Sequence, residues 1–413
     1  MPAICLYFKV HQPWRLKSHI HIPHHGVPDQ KLMEHYFEVN GKDKRIFERA
    51  ARKCYYPTND ILLEAIDEFR RTRRKFKLAF SFTGTFIEQC ERFDSGVVES
   101  FRNLVDTGCV EVLGETYYHS LASIFPETDE FIDQVNEHRE LIKSIFGKKP
   151  KVFVNTEALY NNRIASIVED MGFSGIMTEG VDHVLGWRSP NYLYRPPEGV
   201  ARIPILLRNY RLSDDVSYRF SARWWDQWPL TADKYASWLA ATPGDVINLF
   251  MDYETFGEHQ WPETGIYSFL RHLPIEVLKY RNLRFLTPSE VIKKFKPVGE
   301  FDIFDLATIS WADMERDTSA WLGNWMQQVA HNELILLEPF IKRTGDPNLL
   351  KTWRLLQVSD HLYYMCDKGW GDGDVHTYFS NFNTPGEAFM SFMNVISDLK
   401  RRTFEKLSKR KTS

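Results

Sequence analysis

The sequence predicts a parallel α/β barrel, closed or nearly closed, that is followed by a helical subdomain. Three observations lead to this fold class. Short apolar runs alternate with longer helical patterns up to about residue 300, and after that point only helical patterns continue. The runs suit strands that are buried on both faces, as in a parallel sheet. Repeated β-then-α order predicts such a sheet, and seven or eight repeats predict a barrel.

Each predicted strand is an apolar or β-branched run, and a helical pattern follows most of them. The eight runs lie at 3–10, 77–84, 109–114, 151–156, 174–179, 202–207, 246–253 and 283–287. Helices are predicted between them at 60–74, 95–106, 127–146, 161–171 and 263–280. Three of these helices stop just before Gly108, Gly147 or Gly172, since glycine is the usual residue beyond a helix end.

The second predicted domain is helical. Long amphipathic patterns at 316–343, 346–367 and 386–408 follow one another with no strand between them. No repeat and no flexible Gly/Ser linker separates them from the first part of the chain. We therefore expect a barrel over residues 1–300 and a helical bundle over residues 301–413 that packs against it.

The charge balance and the cysteines exclude several classes of protein. The 52 Lys+Arg residues against 55 Asp+Glu residues give a formal charge of −3, so no positive field attracts nucleic acid. No window approaches the roughly 18–20 apolar residues of a membrane span. The five cysteines are widely spaced without a C-x-x-C pair, which is typical of reduced thiols. Because the N-terminus does not resemble a signal peptide, we predict a cytoplasmic protein; its oligomeric state is left open.

Polar residues end four of the predicted strands, and barrel enzymes carry their chemistry at such strand ends. A carboxylate or imidazole at one strand end often only caps a helix, but four on one side of a barrel indicate a site. The four groups are His11-Gln12-Pro13, Glu115 to His119, Asn155-Thr156-Glu157 and Asp252-Tyr253-Glu254.

A metal site is one interpretation of these residues. Asp252 and Glu254 are two positions apart, so they point to the same side of an extended segment. Further ligands would come from His11, His119 or His259, or from the histidine run at 19–25. That run matches no tight metal spacing, and we predict no metal and no cofactor.

Glycoside hydrolysis is the other chemistry that needs two separate carboxylates. One attacks the anomeric carbon or positions water, and the other protonates the leaving oxygen. Glu157 and Asp252 are the natural pair, because each follows its own apolar strand. Sugars also stack on aromatic rings, which suggests a use for Trp224, Trp225 and Trp228.

These residues resemble the motifs of glycoside hydrolase family 57, and the likeness covers nearly the whole chain. All five motifs of that family have a counterpart here in the same order. They are His11-Gln12-Pro13; Gly108 to Glu111 with His119; Glu157 in VFVNTEALYNN; Asp252-Tyr253-Glu254-Thr255-Phe256-Gly257; and DMERDTSAWLGN at 313–324.

The resemblance implies an incomplete (β/α)7 barrel with a helical bundle that completes the substrate cleft. It also implies double displacement with retention of the α configuration and no cofactor. Glu157 would form the glycosyl-enzyme, and Asp252 would protonate the leaving oxygen and later deprotonate the acceptor. We expect Asp252 to be the less solvated of the two, since a general acid must keep its proton near neutral pH.

The same resemblance suggests which residues contact an α-glucan or malto-oligosaccharide substrate. The bundle is expected to contribute some of them, with Trp321 and Trp370 facing the mouth of the barrel. The predicted contacts are His11, Gln12, Glu115, His119, Trp225, Glu254, His259, Trp321, Asp360, Asp367 and Trp370.

Two departures narrow the expected activity. Branching enzymes and 4-α-glucanotransferases of the family usually carry Trp-Leu-Pro before the nucleophile, where this chain has Val154-Asn155-Thr156. Branching enzymes tend to follow Phe-Gly with His-Trp-Trp, where this chain has Glu258-His259-Gln260. Both features are similar to the α-amylase group, so we expect hydrolysis of α-1,4 bonds. The alternatives are a transglycosylase on the same site, a metal-dependent polysaccharide deacetylase and a weakly active glucan-binding protein.

Overall fold

A computed structural model describes residues 2–18, 26–368 and 379–411. The chain forms two compact units. We call them the barrel unit (Met1–Gln12, Phe47–Tyr117 and Ile132–Trp311) and the helical unit (Pro13–Ile46, Tyr118–Phe131 and Ala312–Ser413). The sequence predicted one boundary near residue 300, whereas the chain enters the helical unit twice before Ala312.

The described part of the barrel unit contains nine strands in one sheet. Seven of them pair in parallel in the order β3-β2-β1-β8-β7-β5-β4. Off this path, β9 pairs parallel with β1, and β6 pairs antiparallel with β7. The strands are β1 Ala3–Val10, β2 Leu78–Phe82, β3 Val110–Val112, β4 Val152–Val154, β5 Gly175–Glu179, β6 Leu193–Tyr194, β7 Ile205–Arg208, β8 Val246–Asp252 and β9 Arg284–Phe285.

A parallel bridge joins the two ends of this order. Gly114, just after β3, accepts a hydrogen bond from the Val154 N–H at 2.9 Å and donates its own N–H to the Val152 carbonyl at 2.9 Å. A side chain at Gly114 would overlap the ring of Phe173, because a Cβ there lies 2.7 Å from that ring. Seven parallel strands with helices between them, followed by a helical region, confirm the predicted (β/α)7 fold class.

Helices connect the strands and make up most of the helical unit. In chain order they are α1 Leu32–Tyr36, α2 Lys42–Ala50, α3 Tyr56–Phe69, α4 Gly84–Phe93, α5 Gly96–Asp106, α6 Asp129–Phe146, α7 Asn162–Asp170, α8 Asp182–Leu185, α9 Tyr210–Ser217, α10 Ala232–Ala241, α11 Ile266–Lys279, α12 Pro288–Lys294, α13 Ser319–Leu322, α14 Trp325–Thr344, α15 Pro347–Leu356, α16 Ser359–Tyr363 and α17 Pro385–Lys411. A π-helical turn, Ala51–Tyr55, links α2 to α3. Within the described residues no helix has the length and hydropathy that crossing a membrane requires.

Alternation along the strands separates two apolar layers. In β1 the side chains of Ile4, Leu6, Phe8 and Val10 belong to the larger core, which includes the surrounding helices. Those of Ala3, Cys5 and Tyr7 belong to a smaller core with residues such as Val154 and Phe250 from other strands. Successive side chains of a strand point to opposite faces. Polar residues an even number of positions from an inner-layer residue of the same strand therefore also face the smaller, inner layer. They are Lys9 of β1, Ser81 of β2, Glu115 after β3, Arg208 of β7 and Asp252 of β8.

Candidate active site

Glu157 lies in a turn of unusual backbone geometry after β4. A 3-10 turn, Thr156–Ala158, follows the strand, and the side chain of Asn155 accepts a hydrogen bond from the Thr156 N–H at 3.0 Å. Glu157 has φ 52° and ψ 25°, in the left-handed region, which costs a non-glycine residue roughly 1–2 kcal/mol. Its side chain is only 8% exposed. The turn thus holds a buried carboxylate at the carboxyl end of the sheet.

Trp311 holds Glu157 in place through two hydrogen bonds. Its indole Nε1–H donates to Glu157 Oε2 at 2.8 Å, and its backbone N–H donates to the Glu157 carbonyl at 3.3 Å. The indole stacks on Phe250, with ring centroids 4.8 Å apart and an interplanar angle of 27°. The Lys9 ammonium and the Arg208 guanidinium lie 5.7 and 5.6 Å from the indole centroid. A donated hydrogen bond stabilises a carboxylate in its charged form, so this environment favours ionised Glu157.

Glu115 and Lys9 form a buried acid–base neighbourhood beside Glu157. Lys9 is 2% exposed, and the strand register places it level with Ser81 on one side and Asp252 on the other. Glu115 is fully buried. Burial raises the pKa of Glu115 to about 7, against the opposing effects of the Lys9 charge and a Ser81 hydrogen bond, and the charge of Glu157 raises it further. Burial therefore favours the protonated form of Glu115.

Asp252 and Glu254 form a second acidic pair, at the end of β8. Asp252 is the last residue of the strand and is partly exposed, whereas Glu254 lies in the following 3-10 turn, Tyr253–Thr255, and is buried. Burial raises the pKa of Glu254 to about 8, and the charge of Asp252 adds to the rise. The expectation that Asp252 is less solvated than Glu157 is wrong. The deeper burial in this pair falls on Glu254, and the two neighbouring carboxyl groups oppose each other's ionisation.

Tyr55 connects Glu254 to Gln12. The Gln12 Nε2–H donates to the Tyr55 hydroxyl at 2.9 Å, and that hydroxyl donates to Glu254 Oε1 at 2.7 Å. All three side chains are buried. Two predicted contact residues are thus joined by a tyrosine that the sequence motifs did not include.

The segment that carries Asp252 turns sharply at Gly257. Its φ is +113°, and its N–H donates to the Gln260 carbonyl at 2.9 Å. A Cβ at Gly257 would lie 1.8 Å from the backbone oxygen of Lys53, which is rigid because it belongs to the π-helical turn. The turn therefore requires glycine both for its dihedral angles and for its close approach to the helix.

Replacing Gly257 by alanine is expected to lower the free energy of unfolding by about 3–5 kcal/mol, because backbone atoms must separate to admit the new methyl group. Chemical denaturation monitored by circular dichroism measures this loss. Gly265→Ala is the matched control: Gly265 also has positive φ, +89°, but a Cβ there meets no atom within 4 Å. That variant is expected to lose only about 1–2 kcal/mol. Equal losses in the two variants would contradict the role of the close approach.

The other predicted contacts in the barrel unit lie around these groups. His11 is half-buried, with Nδ1 2.9 Å from Thr83 Oγ1. The His259 N–H donates to the Glu254 carbonyl at 2.9 Å, so the residue follows the acidic turn directly. Trp225 is half-buried and packs edge-on against Trp238 at 6.1 Å, while Trp224 is 82% exposed.

In the helical unit, His119 and Asp360 are brought together. His119 is buried with φ +52°, and its carbonyl accepts a hydrogen bond from the Ser359 N–H at 2.9 Å. A ring nitrogen of His119 and a carboxylate oxygen of Asp360 lie within 4.8 Å of each other. These two candidate residues are far apart in the sequence, and their side chains lie close together in this unit.

The remaining candidates of the helical unit have different surroundings. Trp321 is 2% exposed and lies 6.1 Å from the Tyr363 ring. Asp367 is exposed and accepts a hydrogen bond from Asn324 Nδ2 at 3.1 Å. Trp370 and the histidine run at 19–25 lie outside the described residues. The contacts of these candidates with a substrate remain predictions.

Three residues beside Glu157 were not among the predicted site residues: Lys9, Arg208 and Trp311. Arg208 donates to Glu179 at 2.9 Å, to Asp214 at 2.5 Å and to the Phe250 carbonyl at 2.7 Å, beside the Trp311 ring. Lys9 and Arg208 did carry a signal, because a cation inside or at the end of an apolar strand needs a buried partner. Trp311 carried none, since it follows no strand and no motif.

Comparison with known proteins places the chain in a family. The model of glycosyl hydrolase family 57 matches residues 5–304. A protein of Methanocaldococcus jannaschii with the provisional name alpha-amylase is 50% identical over 98% of this chain and 86% of its own length. An alpha-amylase of Pyrococcus furiosus is 23% identical over 62% of this chain, which spans 37% of that protein.

A solved structure supports the same fold. The family 57 branching enzyme of Thermococcus kodakaraensis matches 97% of this chain and 90% of its own, with a TM-score of 0.68 and 13% identity. At that identity the likeness concerns the fold alone. The family model and the half-identical relative go further: this chain is a glycoside hydrolase and belongs to glycosyl hydrolase family 57.

Proposed function

We propose that this protein hydrolyses α-1,4-glucosidic bonds of α-glucans with retention of configuration, with Glu157 as nucleophile and Asp252 as general acid/base. The observation that carries the proposal is the difference between the two carboxylate environments. The Trp311 indole N–H donates to Glu157, which favours the anion that a nucleophile must be. Asp252 instead lies beside the buried Glu254 carboxyl, and two neighbouring carboxyl groups oppose each other's ionisation. Pairs of carboxyl groups with opposed environments are typical of glycosidases.

The reaction follows from these two states. The Glu157 carboxylate attacks C1 of the sugar while the bond from C1 to the leaving oxygen breaks, and Asp252 gives its proton to that oxygen. Asp252 then takes a proton from water, the water oxygen bonds to C1, and the ester bond to Glu157 breaks. Two inversions at C1 give net retention.

Incubation with malto-oligosaccharides of graded length tests the function. We expect shorter products with a matching rise in reducing ends, and the first anomer seen by NMR should be α. Products longer than the substrate without new reducing ends would instead identify a 4-α-glucanotransferase or branching-type activity. A first β anomer would contradict retention, and strong inhibition by a chelator would favour the deacetylase alternative.

The thiols support a cytoplasmic location as part of the proposal. All five cysteines are free, and four of them are buried: Cys5, Cys54, Cys90 and Cys109. Reduced thiols persist in the cytosol, whereas secreted proteins tend to oxidise theirs. Export to the medium in a fractionation experiment would contradict this part.

Replacing Trp311 by phenylalanine is expected to lower kcat/KM on maltopentaose roughly 10- to 100-fold, because the ring remains but the N–H that donates to the nucleophile is lost. The pKa of Glu157 should rise without this hydrogen bond, so the acidic limb of the pH profile should move to higher pH. Steady-state rates between acidic and neutral pH measure both effects. Trp238→Phe, the same change beside Trp225, should leave the profile in place; an unchanged profile in the Trp311 variant would contradict the assignment.

A further inference from the structure

The helix that begins at Lys42 is interrupted where it meets the catalytic segment. The π-helical turn Ala51–Tyr55 lies between α2 and α3, and such turns often occur at functional sites. Its residues contact the segment from Tyr253 to Gly257. The Cys54 thiol donates to the Tyr253 carbonyl at 3.2 Å, and Tyr55 donates to Glu254.

The next turn of the helix continues the same contacts. Thr58 Oγ1 donates to the Phe256 carbonyl at 3.1 Å, and the Tyr253 hydroxyl donates to Asn59 Oδ1 at 2.5 Å. These hydrogen bonds show that the π turn and the helix after it hold the segment that carries the acidic pair. The π turn fixes the backbone after Asp252 and aims one hydroxyl, that of Tyr55, at the second carboxyl of the acidic pair.

The two carboxyl groups of this pair oppose each other's ionisation. Glu254 is buried next to the partly exposed Asp252, and two adjacent carboxyl groups do not both ionise readily, so they can share one proton. The proton resides on whichever carboxyl is less stabilised as an anion. The ionisable groups that interact electrostatically with Glu254 come from two segments. Asp252, Tyr253 and Glu258 belong to its own segment, and Cys54 and Tyr55 belong to the π turn. Glu258 in turn forms an ion pair with Arg49.

Among these groups Tyr55 is the one with a hydrogen bond to the Glu254 carboxylate in the described structure. A donated bond favours the anion, and the Gln12 amide, by donating to the Tyr55 oxygen, polarises the hydroxyl and strengthens the bond that it makes. We propose that Tyr55 is a positioning residue that shifts the shared proton from Glu254 towards Asp252 by stabilising Glu254 as the anion. The inference rests on the proposed function, in which Asp252 must hold that proton to give it to the leaving oxygen.

Tyr55→Phe tests the inference, because it removes the hydroxyl and keeps the ring. The proton should then spend more time on Glu254, so the plateau of kcat/KM on maltopentaose should fall about tenfold. The alkaline limb should move to higher pH by about one unit, since the pair now binds its proton more tightly, and the two profiles should meet at high pH. Loss of packing would instead lower the rate equally at every pH.

A substrate with a better leaving group distinguishes loss of acid catalysis from a general loss of activity caused by altered packing. On an α-maltoside with a dinitrophenyl leaving group, which departs without protonation, Tyr55→Phe should match the wild type. Tyr56→Phe is the matched control, because it removes a tyrosine–carboxylate bond of 2.8 Å to Asp94 outside the site. Gln12→Leu should move the profile in the same direction by less, and it serves if Tyr55→Phe does not fold.

A measurement without turnover distinguishes failure of this inference from failure of the proposed function. Infrared spectra of wild type and Tyr55→Phe are compared at neutral pH with ¹³C-labelled aspartate. The variant should lose a protonated-carboxyl band that shifts with the label and gain one that does not. An identical band pattern overturns the inference, as does a rate loss that is equal for both leaving groups. An inactive wild type with the expected bands would overturn only the proposed function.

Discussion

Replacing Glu157 by alanine is expected to lower kcat on maltopentaose by about 10⁴-fold or more, because the covalent route is lost with the attacking carboxylate. Added azide should restore turnover of an activated aryl α-maltoside, since this small anion fits the space that the carboxylate leaves. Azide attacks C1 from the side opposite to the leaving group, so the product should be the β-glycosyl azide. The anomeric configuration of the product, measured by NMR, therefore shows from which face of the sugar the missing nucleophile attacks.

Glu169→Ala provides the matched control. This glutamate lies on α7, where its carboxylate accepts the Arg202 N–H at 3.0 Å, away from the strand ends. It should keep wild-type kcat and give no glycosyl azide. An α-configured azide product from Glu157→Ala, or a loss below tenfold, would remove Glu157 from the role of nucleophile.

Replacing Asp252 by alanine is expected to reduce kcat/KM on maltopentaose by roughly 10²- to 10⁴-fold, the usual contribution of a general acid. The reduction should shrink on the dinitrophenyl α-maltoside, where the first step needs no proton. Azide should now intercept the glycosyl-enzyme formed on Glu157 and give the α-glycosyl azide. The alanine variants of Glu157 and Asp252 thus predict products of opposite configuration.

Asp245→Ala tests whether the position along the strand matters. Asp245 precedes β8, at the end opposite to Asp252, and its carbonyl accepts the Ala3 N–H at 2.8 Å. This variant should keep both activities and form no azide adduct. Equal losses on both substrates in Asp252→Ala would show that the residue does not act as an acid.

The strands were predictable because their physics is local. Each of the eight apolar runs overlaps a strand, from Ala3–Val10 to Arg284–Phe285, since buried parallel strands need continuous apolar sequence. The two-residue strand Leu193–Tyr194 was missed, because its antiparallel pairing with β7 depends on a partner rather than on its own pattern. The helix predicted at 60–74 begins earlier, at Tyr56, because the π turn before it continues the preceding helix.

The site was predictable where chemistry follows a strand end and unpredictable where it depends on folding. Glu115, Glu157 and Asp252 could be named because each stands at or directly after the end of an apolar run. The donor to Glu157 could not, since Trp311 lies 154 positions away and reaches it only through the fold. The burial of Glu254 rather than Asp252 is also a tertiary effect, created by a helix that arrives from residues 51–59.

The left-handed backbone at Glu157 has a consequence for how this protein can change over generations. Glycine adopts φ 52° without cost, and it would also remove a buried charge from beside Glu115. Selection for a stable fold and selection for turnover therefore favour different residues at position 157. In a lineage that no longer needed the activity, we expect substitution of Glu157 by glycine, which would give a more stable protein without catalytic activity.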